Sequence, residues 1–372
     1  METKNLLLYL LCMLSFHVHA QYPEDSISIN IGDAAPPLYV QEWIKGSPIQ
    51  QLEKGRIYVL EFWATWCRPC MAAMPHISAL ARKYHDKITF IGMDVYEQEN
   101  TSVQKIKHVV DSLGDKTDYH VAIDDGNRMV EKWLVASGEK ENGIPRSIVV
   151  DAEGRLAWMG YPKDLDTVLE RIVGNKWDID QALATRNEMR RLKELDEDVG
   201  YSIKYPDDVF QPGYVERPDS TLLVLAEIVR KEPKLKYAFS VTYYTFSSLL
   251  KIDQTKAYEY GREILTATND PFYSSIYFNV EQYADTLNLL PEIYELGAEA
   301  LQKQIGQYPW PEIVDVSDDY NQIAEWYWRA DNKPEAILAQ QKAIEALKKK
   351  KNLPTSDLAA FESRLRQYME VE

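Results

Sequence analysis

The sequence predicts an α/β unit in its first half joined to an all-α unit in its second. Three observations carry this. Strand-like and helix-like stretches alternate from about residue 30 to residue 174. Beyond Trp177 the pattern turns helical almost throughout. A pair of cysteines, Cys67 and Cys70, sits where a strand-like run gives way to a helix-like one. Strands alternating with helices imply a sheet covered by helices, whereas a helix-only stretch must bury its apolar stripes against other helices. The 372 residues suffice for two such cores, and a 45% hydrophobic content is ordinary for globular protein.

The N-terminus reads as an export signal. Lys4 supplies the positive charge, Leu6 to Phe16 is almost entirely apolar, and Val18-His19-Ala20 meets the small-residue rule for cleavage, which makes Gln21 the mature start. The apolar run is too short to cross a bilayer as an ordinary helix. Leu11 ahead of Cys12 is bulky where a lipid-attachment site needs a small residue.

In the α/β half, Arg56 to Ala64 (RIYVLEFWA) is β-branched and aromatic with few polar breaks, the texture of a central buried strand. Lys87 to Val95 and Arg146 to Val150 share it. Helical patterns fall at Pro69 to Tyr84, Ser102 to Leu113 and Asn127 to Leu134. Asp151-Ala152-Glu153-Gly154 signals a turn, with Arg155 to Met159 as the returning hairpin strand and Asp164 to Val173 as a closing helix. Gly174-Asn175-Lys176 marks the boundary. The expected organisation is a signal peptide over 1–20, the α/β domain over 21–174 and a helical domain over 175–372.

In the helical half, Gly200 to Ser220 carries Pro206, Pro212, Gly213 and Pro218 and reads as a long loop. Ala257 to Leu265 lines up with Ile293 to Leu301 and, more loosely, with Ala336 to Ile344. The offsets of 36 and 43 residues are near the period of two-helix repeats. Tyr320 to Ile344 resembles one tetratricopeptide repeat, with Ala324, Tyr327, Ala336 and Ala343 where that family places small and aromatic packing residues. Both a helical-repeat stack and an irregular bundle fit this half. Either way, Gly261, Gly297, Ala324 and Ala336 are expected at helix contacts. Tyr243, Tyr258, Tyr294 and Tyr327 are expected to pack in the core. A concave face of such a stack would suit a protein partner.

Charge and cysteine usage narrow the chemistry. With 42 basic against 58 acidic residues the formal charge is −16, which repels phosphate backbones and argues against a nucleic-acid partner. The basic run Lys348 to Lys351 reads as the solvated end of a helix. After removal of the signal only Cys67 and Cys70 remain. Their bridge would close a tiny loop and remove almost no unfolded-state entropy, so chemistry explains the pair better than stability does. At a helix N-terminus, unpaired N–H groups and the macrodipole favour a thiolate on Cys67. Pro69 falls in the first turn, where its missing N–H costs little. Cys70 sits one turn in, close enough to attack a mixed disulfide on Cys67. No metal or other cofactor is expected, because the histidines of the mature chain show no zinc spacing.

The string Trp66-Cys67-Arg68-Pro69-Cys70 resembles the thioredoxin-family active site, and its surroundings resemble the TlpA and redoxin branch of exported thioredoxin-like proteins. Gly32-Asp33-Ala34-Ala35-Pro36 is similar to that branch's opening motif, Gly143-Ile144-Pro145 to its cis-proline loop, and Asp151, Gly154 and Gly160 to the hairpin that follows. The resemblance covers about residues 30 to 174. It implies a thioredoxin fold and thiol–disulfide exchange, with Cys67 as the nucleophile, partly exposed, and Cys70 as the more buried resolving thiol. It implies that Trp66, Ile144 and a cis Pro145 shape the substrate surface and that Arg68 and Pro69 tune the pair. Protein disulfides or dithiols would be the substrates and a membrane or envelope electron donor the source of reducing equivalents. Glu61, six residues before Cys67, matches the buried acid that relays protons to the second cysteine in thioredoxins. Some relatives instead carry a glutamate three residues after the second cysteine, where this chain has Ala73. A peroxidase of the peroxiredoxin type would want proline and threonine where Leu60 and Ala64 stand.

Overall fold

The computed structural model describes residues 28–139, 143–206, 216–267, 273–306, 315–350 and 355–370. The expected leader, Cys12 and the start at Gln21 lie outside them. Two compact units divide the chain, residues 28–65 with 77–177 and residues 66–76 with 178–370.

The α/β unit is built on a six-stranded mixed sheet. Its strands are β1 (Val40–Lys45), β2 (Ile57–Trp63), β3 (Ile88–Asp94), β4 (His120–Asp124), β5 (Arg146–Val150) and β6 (Leu156–Gly160). They lie in the order β1-β4-β3-β2-β5-β6. β2, β3 and β4 run parallel, while β5 and β6 form an antiparallel hairpin on β2. A parallel neighbour requires a crossover, and helix α1 (Arg68–Lys83) supplies the one from β2 to β3. Helices α2 (Val103–Leu113) and α3 (Leu165–Val173) complete the unit. Ser102 caps α2 by accepting the Lys105 N–H at 3.2 Å. This arrangement is the thioredoxin fold.

β2 is buried on both faces, as its unbroken apolar run requires. Tyr58, Leu60 and Phe62 pack on one side with Met129, Trp133 and Leu134. By alternation Val59, Glu61 and Trp63 point to the other side. Trp133 belongs to a π-helical turn, Val130–Val135, where the periodicity predicts an ordinary helix. β1 and β4 are not evident in the sequence pattern. β4 has only five residues, and β1 is an edge strand whose register slips twice.

Helices α4 (Ile179–Lys204), α5 (Pro218–Lys231), α6 (Phe239–Ile252), α7 (Gln254–Thr266), α8 (Ser274–Tyr283), α9 (Pro291–Gly306), α10 (Ser317–Arg329), α11 (Lys333–Lys348) and α12 (Thr355–Glu370) form the second region. Most pack on their sequence neighbours, with additional packing of α4 and α8 on α6 and of α7 on α9. The expected loop over Gly200 to Ser220 is shorter than its composition suggests. α4 continues to Lys204 and α5 opens at Pro218, where proline suits a first turn; 207–215 lie outside the described residues. Gly200 is inside α4 because a β-carbon there would come within 2.7 Å of Ser240 Oγ.

The small residues do lie at contacts. A β-carbon on Gly261 would meet Leu296, and one on Gly297 would meet Val280; Ala324 and Ala336 are fully buried. Tyr294 and Tyr327 are in the core and Tyr258 packs against it. Tyr243 departs from the expectation. It is half-buried, donates a hydrogen bond to Gln282 Oε1, and lines a cleft of about 770 Å³ with Tyr244, Tyr283, Phe239 and Phe278.

Candidate active site

The cysteine pair is reached by following β2 out of the sheet. The last ladder bond is donated by Val95 N–H to the Trp63 carbonyl. Thr65 and Trp66 turn the chain, and α1 begins at Arg68. Cys67 therefore stands at the N-cap. Cys67 and Cys70 form a disulfide with their Cα atoms 5.3 Å apart. The Cys70 N–H donates to Cys67 Sγ at 3.2 Å, so the sulfur occupies the position of a capping oxygen and satisfies one of the orphan donors of the first turn. Pro69 is in that same turn. A second proline, Pro75, removes the N–H that would bond the Met71 carbonyl, a break in α1 that the periodicity does not announce.

Cys67 is 3% exposed and Cys70 1%, which corrects the expectation of a partly exposed nucleophile. In the disulfide the Cys67 sulfur is turned toward Cys70 and its amide. What the turn presents outward is Trp66, 50% exposed, with Arg68 and Pro69 also exposed.

The Ile144–Pro145 peptide is cis, as the family resemblance implies. It immediately precedes β5, and Arg146, the first residue of β5, is in register with Phe62 near the end of β2. The proline loop and the strand leading to the cysteines thus meet the sheet at the same end. Arg146 is buried, lies 3.3 Å from the Glu139 carboxylate and covers the Tyr161 ring. The three groups hold the start of β5 in place.

Glu61 is almost completely buried on β2 and accepts a hydrogen bond from Ser147 Oγ on β5, its register partner. Burial pushes its carboxyl well above the usual carboxylate range, a shift that the Ser147 hydroxyl and the Arg146 charge only partly offset. On its other side Glu61 is in register with Gly92 of β3. A β-carbon there would lie 2.9 Å from the Tyr119 ring and 3.4 Å from Trp63 Nε1, so the glycine is what lets the ring lie against the strand. Burial raises the Tyr119 phenol well above its ordinary value, and the neighbouring Glu61 adds to this.

Glu97, its partner Thr65 and Asp94, which the sequence reading did not single out, complete the setting. Glu97, three residues past β3, accepts both the N–H of Thr65 and, at 2.9 Å, its hydroxyl. Asp94 ends β3 in register with Trp63, is 1% exposed, and is pushed up to about 9, first by burial and then by Glu97 and Asp124. A carboxylate inside the apolar run KITFIGMDV is a local signal that would have found Asp94, whereas Glu61 is found by its spacing from Cys67.

Comparison with known proteins agrees with this geometry. The redoxin family model matches residues 32–173. Protein FixW of Rhizobium leguminosarum is 32% identical over 155 residues, covering 40% of this chain and 69% of that protein. The thiol-disulfide oxidoreductase ResA of Bacillus thuringiensis (strain Al Hakam) is 29% identical over 153 residues, covering 41% of this chain and 81% of that protein. The thioredoxin-like protein YneN of Bacillus subtilis is 25% identical over 149 residues, covering 40% of this chain and 82% of that protein. With the cysteine pair at the head of α1, the cis proline ahead of β5, the family model matched over residues 32–173 and a relative 32% identical over 69% of its own length, the chain belongs to the redoxin family.

Proposed function

We propose that this chain is an exported thiol–disulfide oxidoreductase that reduces protein disulfides, with Cys67 and Cys70 as the exchanging pair. The observation that carries the reading is the disulfide at a helix N-terminus, with the Cys67 sulfur accepting the Cys70 amide. When the pair is reduced, that hydrogen bond becomes charge-assisted and favours the Cys67 thiolate. The thiolate attacks one sulfur of a substrate disulfide, the other substrate sulfur leaves and takes a proton from solvent, and a mixed disulfide forms on Cys67. Cys70 gives up its proton and attacks the Cys67 sulfur, which expels the second substrate thiolate, and that thiolate also takes a proton from solvent. The substrate gains two electrons and two protons, and the pair returns to the disulfide.

Glu61 manages the Cys70 proton in this reading. Burial favours its protonated form while the pair is oxidised. When a donor thiolate attacks Cys67, Cys70 leaves as thiolate and takes that proton. The resulting Glu61 carboxylate takes it back when Cys70 next attacks. A membrane or envelope dithiol supplies the electrons. Trp66, Ile144 and Pro145 form the substrate surface, and Arg68 beside the thiolate stabilises the reduced form. Export rests on the sequence of residues 1–20; among the described residues no helix is long and apolar enough to cross a membrane.

Insulin reduction by the full chain tests the reading. Cys67→Ser should abolish it, and Cys70→Ser should accumulate a mixed disulfide. Activity surviving Cys67→Ser would refute it.

A second reading makes the helical region the partner-binding part, with the redox unit regulatory. The observation favouring it is the aromatic cleft containing Tyr243 and Tyr283. If Tyr243→Ala slows turnover of native envelope substrates but not of insulin, the cleft recruits partners. Equal rates on both would remove that role.

A further inference from the structure

We infer that Glu97 is a positioning residue for the redox turn: by accepting both the N–H and the hydroxyl of Thr65, it fixes the approach that sets Cys67 at the head of α1. The inference rests on the exchange reading above but is read by a different measurement.

The backbone ladder between β2 and β3 ends with the Val95–Trp63 bond. From Ala64 onward the chain leaves the sheet, and only Thr65 and Trp66 separate it from Cys67. A two-residue turn with a loose entry would let the N-cap sulfur drift from the Cys70 amide. Glu97 prevents this from the segment that follows β3. One carboxylate oxygen takes the Thr65 amide and the other its hydroxyl, so both the backbone position and the side-chain rotamer are set. Two acceptor atoms on one group match two donors on one residue, and a carboxylate is the side chain that offers this without also needing to donate. Asp94 lies behind the pair, fully buried. Because its carboxyl is pushed up to about 9 it is protonated at neutral pH and adds no second negative charge there.

The direction of the effect separates positioning from electrostatics. A carboxylate near a thiol disfavours the thiolate, so removing Glu97 by charge alone would lower the Cys67 pKa. Removing the clamp loosens the N-cap geometry that stabilises the thiolate, and raises it. A merely structural Glu97 would change the melting temperature and leave the thiol where it was.

The test uses the full chain, reduced and desalted, with Cys67 followed by the pH dependence of alkylation in a Cys70→Ser background. Glu97→Gln should raise the Cys67 pKa enough to slow alkylation at pH 6 by about 3- to 10-fold. Thr65→Val, which keeps the N–H and loses the hydroxyl, should slow it less in the same direction, and Thr65→Ser should behave as the parent does. An unchanged or faster rate in Glu97→Gln, or equal rates for Thr65→Val and Thr65→Ser, would overturn the inference. Should Glu97→Gln fail to fold, the two Thr65 variants decide. A parent Cys67 that titrates like an ordinary thiol near 8.5 would instead refute the exchange reading itself.

Discussion

Asp94→Asn should stabilise the α/β unit, and increasingly so as the pH rises. Asp94 is 1% exposed, and its carboxyl stands at about 9 in the fold against 3.8 in the unfolded chain. Between these values the folded state holds a proton that the unfolded state releases. Unfolding therefore becomes easier as pH rises through that window. At pH 7 the interval above 3.8 is about 3 units, and at 1.36 kcal/mol per unit the native state forgoes about 4 kcal/mol; at pH 5 the figure is about 2 kcal/mol. Asparagine keeps the shape of the protonated acid and has no proton to lose. The gap between variant and parent should therefore widen by about 1.4 kcal/mol per pH unit between pH 5 and 8 and vanish near pH 4. Because two units need not unfold together, hydrogen exchange of the β2 and β3 amides reads this unit directly, after correction for the intrinsic pH dependence of exchange. A gap of equal size at pH 5 and pH 8, or a variant less stable at every pH, would mean that Asp94 is ionised and paired in the fold.

Three further outcomes follow from the same packing. Glu61→Gln should stabilise the oxidised unit at neutral pH, since its carboxyl is also raised by burial, and should slow resolution of mixed disulfides while sparing the first attack; equal slowing of both steps, seen in stopped-flow with a chromogenic disulfide, would make Glu61 structural. Glu139→Gln removes the carboxylate 3.3 Å from buried Arg146, a kind of change that costs about 3–5 kcal/mol and should show as a lower urea midpoint. Gly297→Ala drives a β-carbon to 2.9–3.0 Å from three side-chain carbons of Val280 and should cost about 1–3 kcal/mol, read by far-UV circular dichroism, which the helices dominate.

The elements that could be read from the sequence are those with an unbroken local signal. β2, β3 and β5 are continuous apolar runs because both faces are covered, and α2 is announced by its cap at Ser102. β1 and β4 give no such signal. β1 is a slipping edge strand that exists because it pairs with β4, and β4 in turn is placed by β3. Tertiary pairing rather than propensity makes both of them strands. The same holds for Gly200, which composition assigns to a loop and which helix packing against Ser240 retains in α4.

The candidate site divides along a similar line. Cys67, Cys70 and Pro145 could be named because each needs its own residue type at a fixed spacing. Thr65 and Glu97 are 32 residues apart and neither is unusual by itself; only the parallel register of β2 and β3 brings them together. Glu61 and Asp94 lie between these cases. Each is an acid inside an apolar strand, and strand alternation places both on one face of the sheet, with Asp94 two register pairs nearer the cysteine end. Burial raises both carboxyls, but their neighbours differ. Glu61 keeps a hydroxyl donor and a nearby cation that partly favour ionisation, whereas Asp94 faces two other carboxyl groups that oppose it. The acid that can change protonation within a catalytic cycle is the one whose charged form has support. In the proposed exchange this favours Glu61 over Asp94 as the proton carrier, with Asp94 as the neutral group behind Glu97.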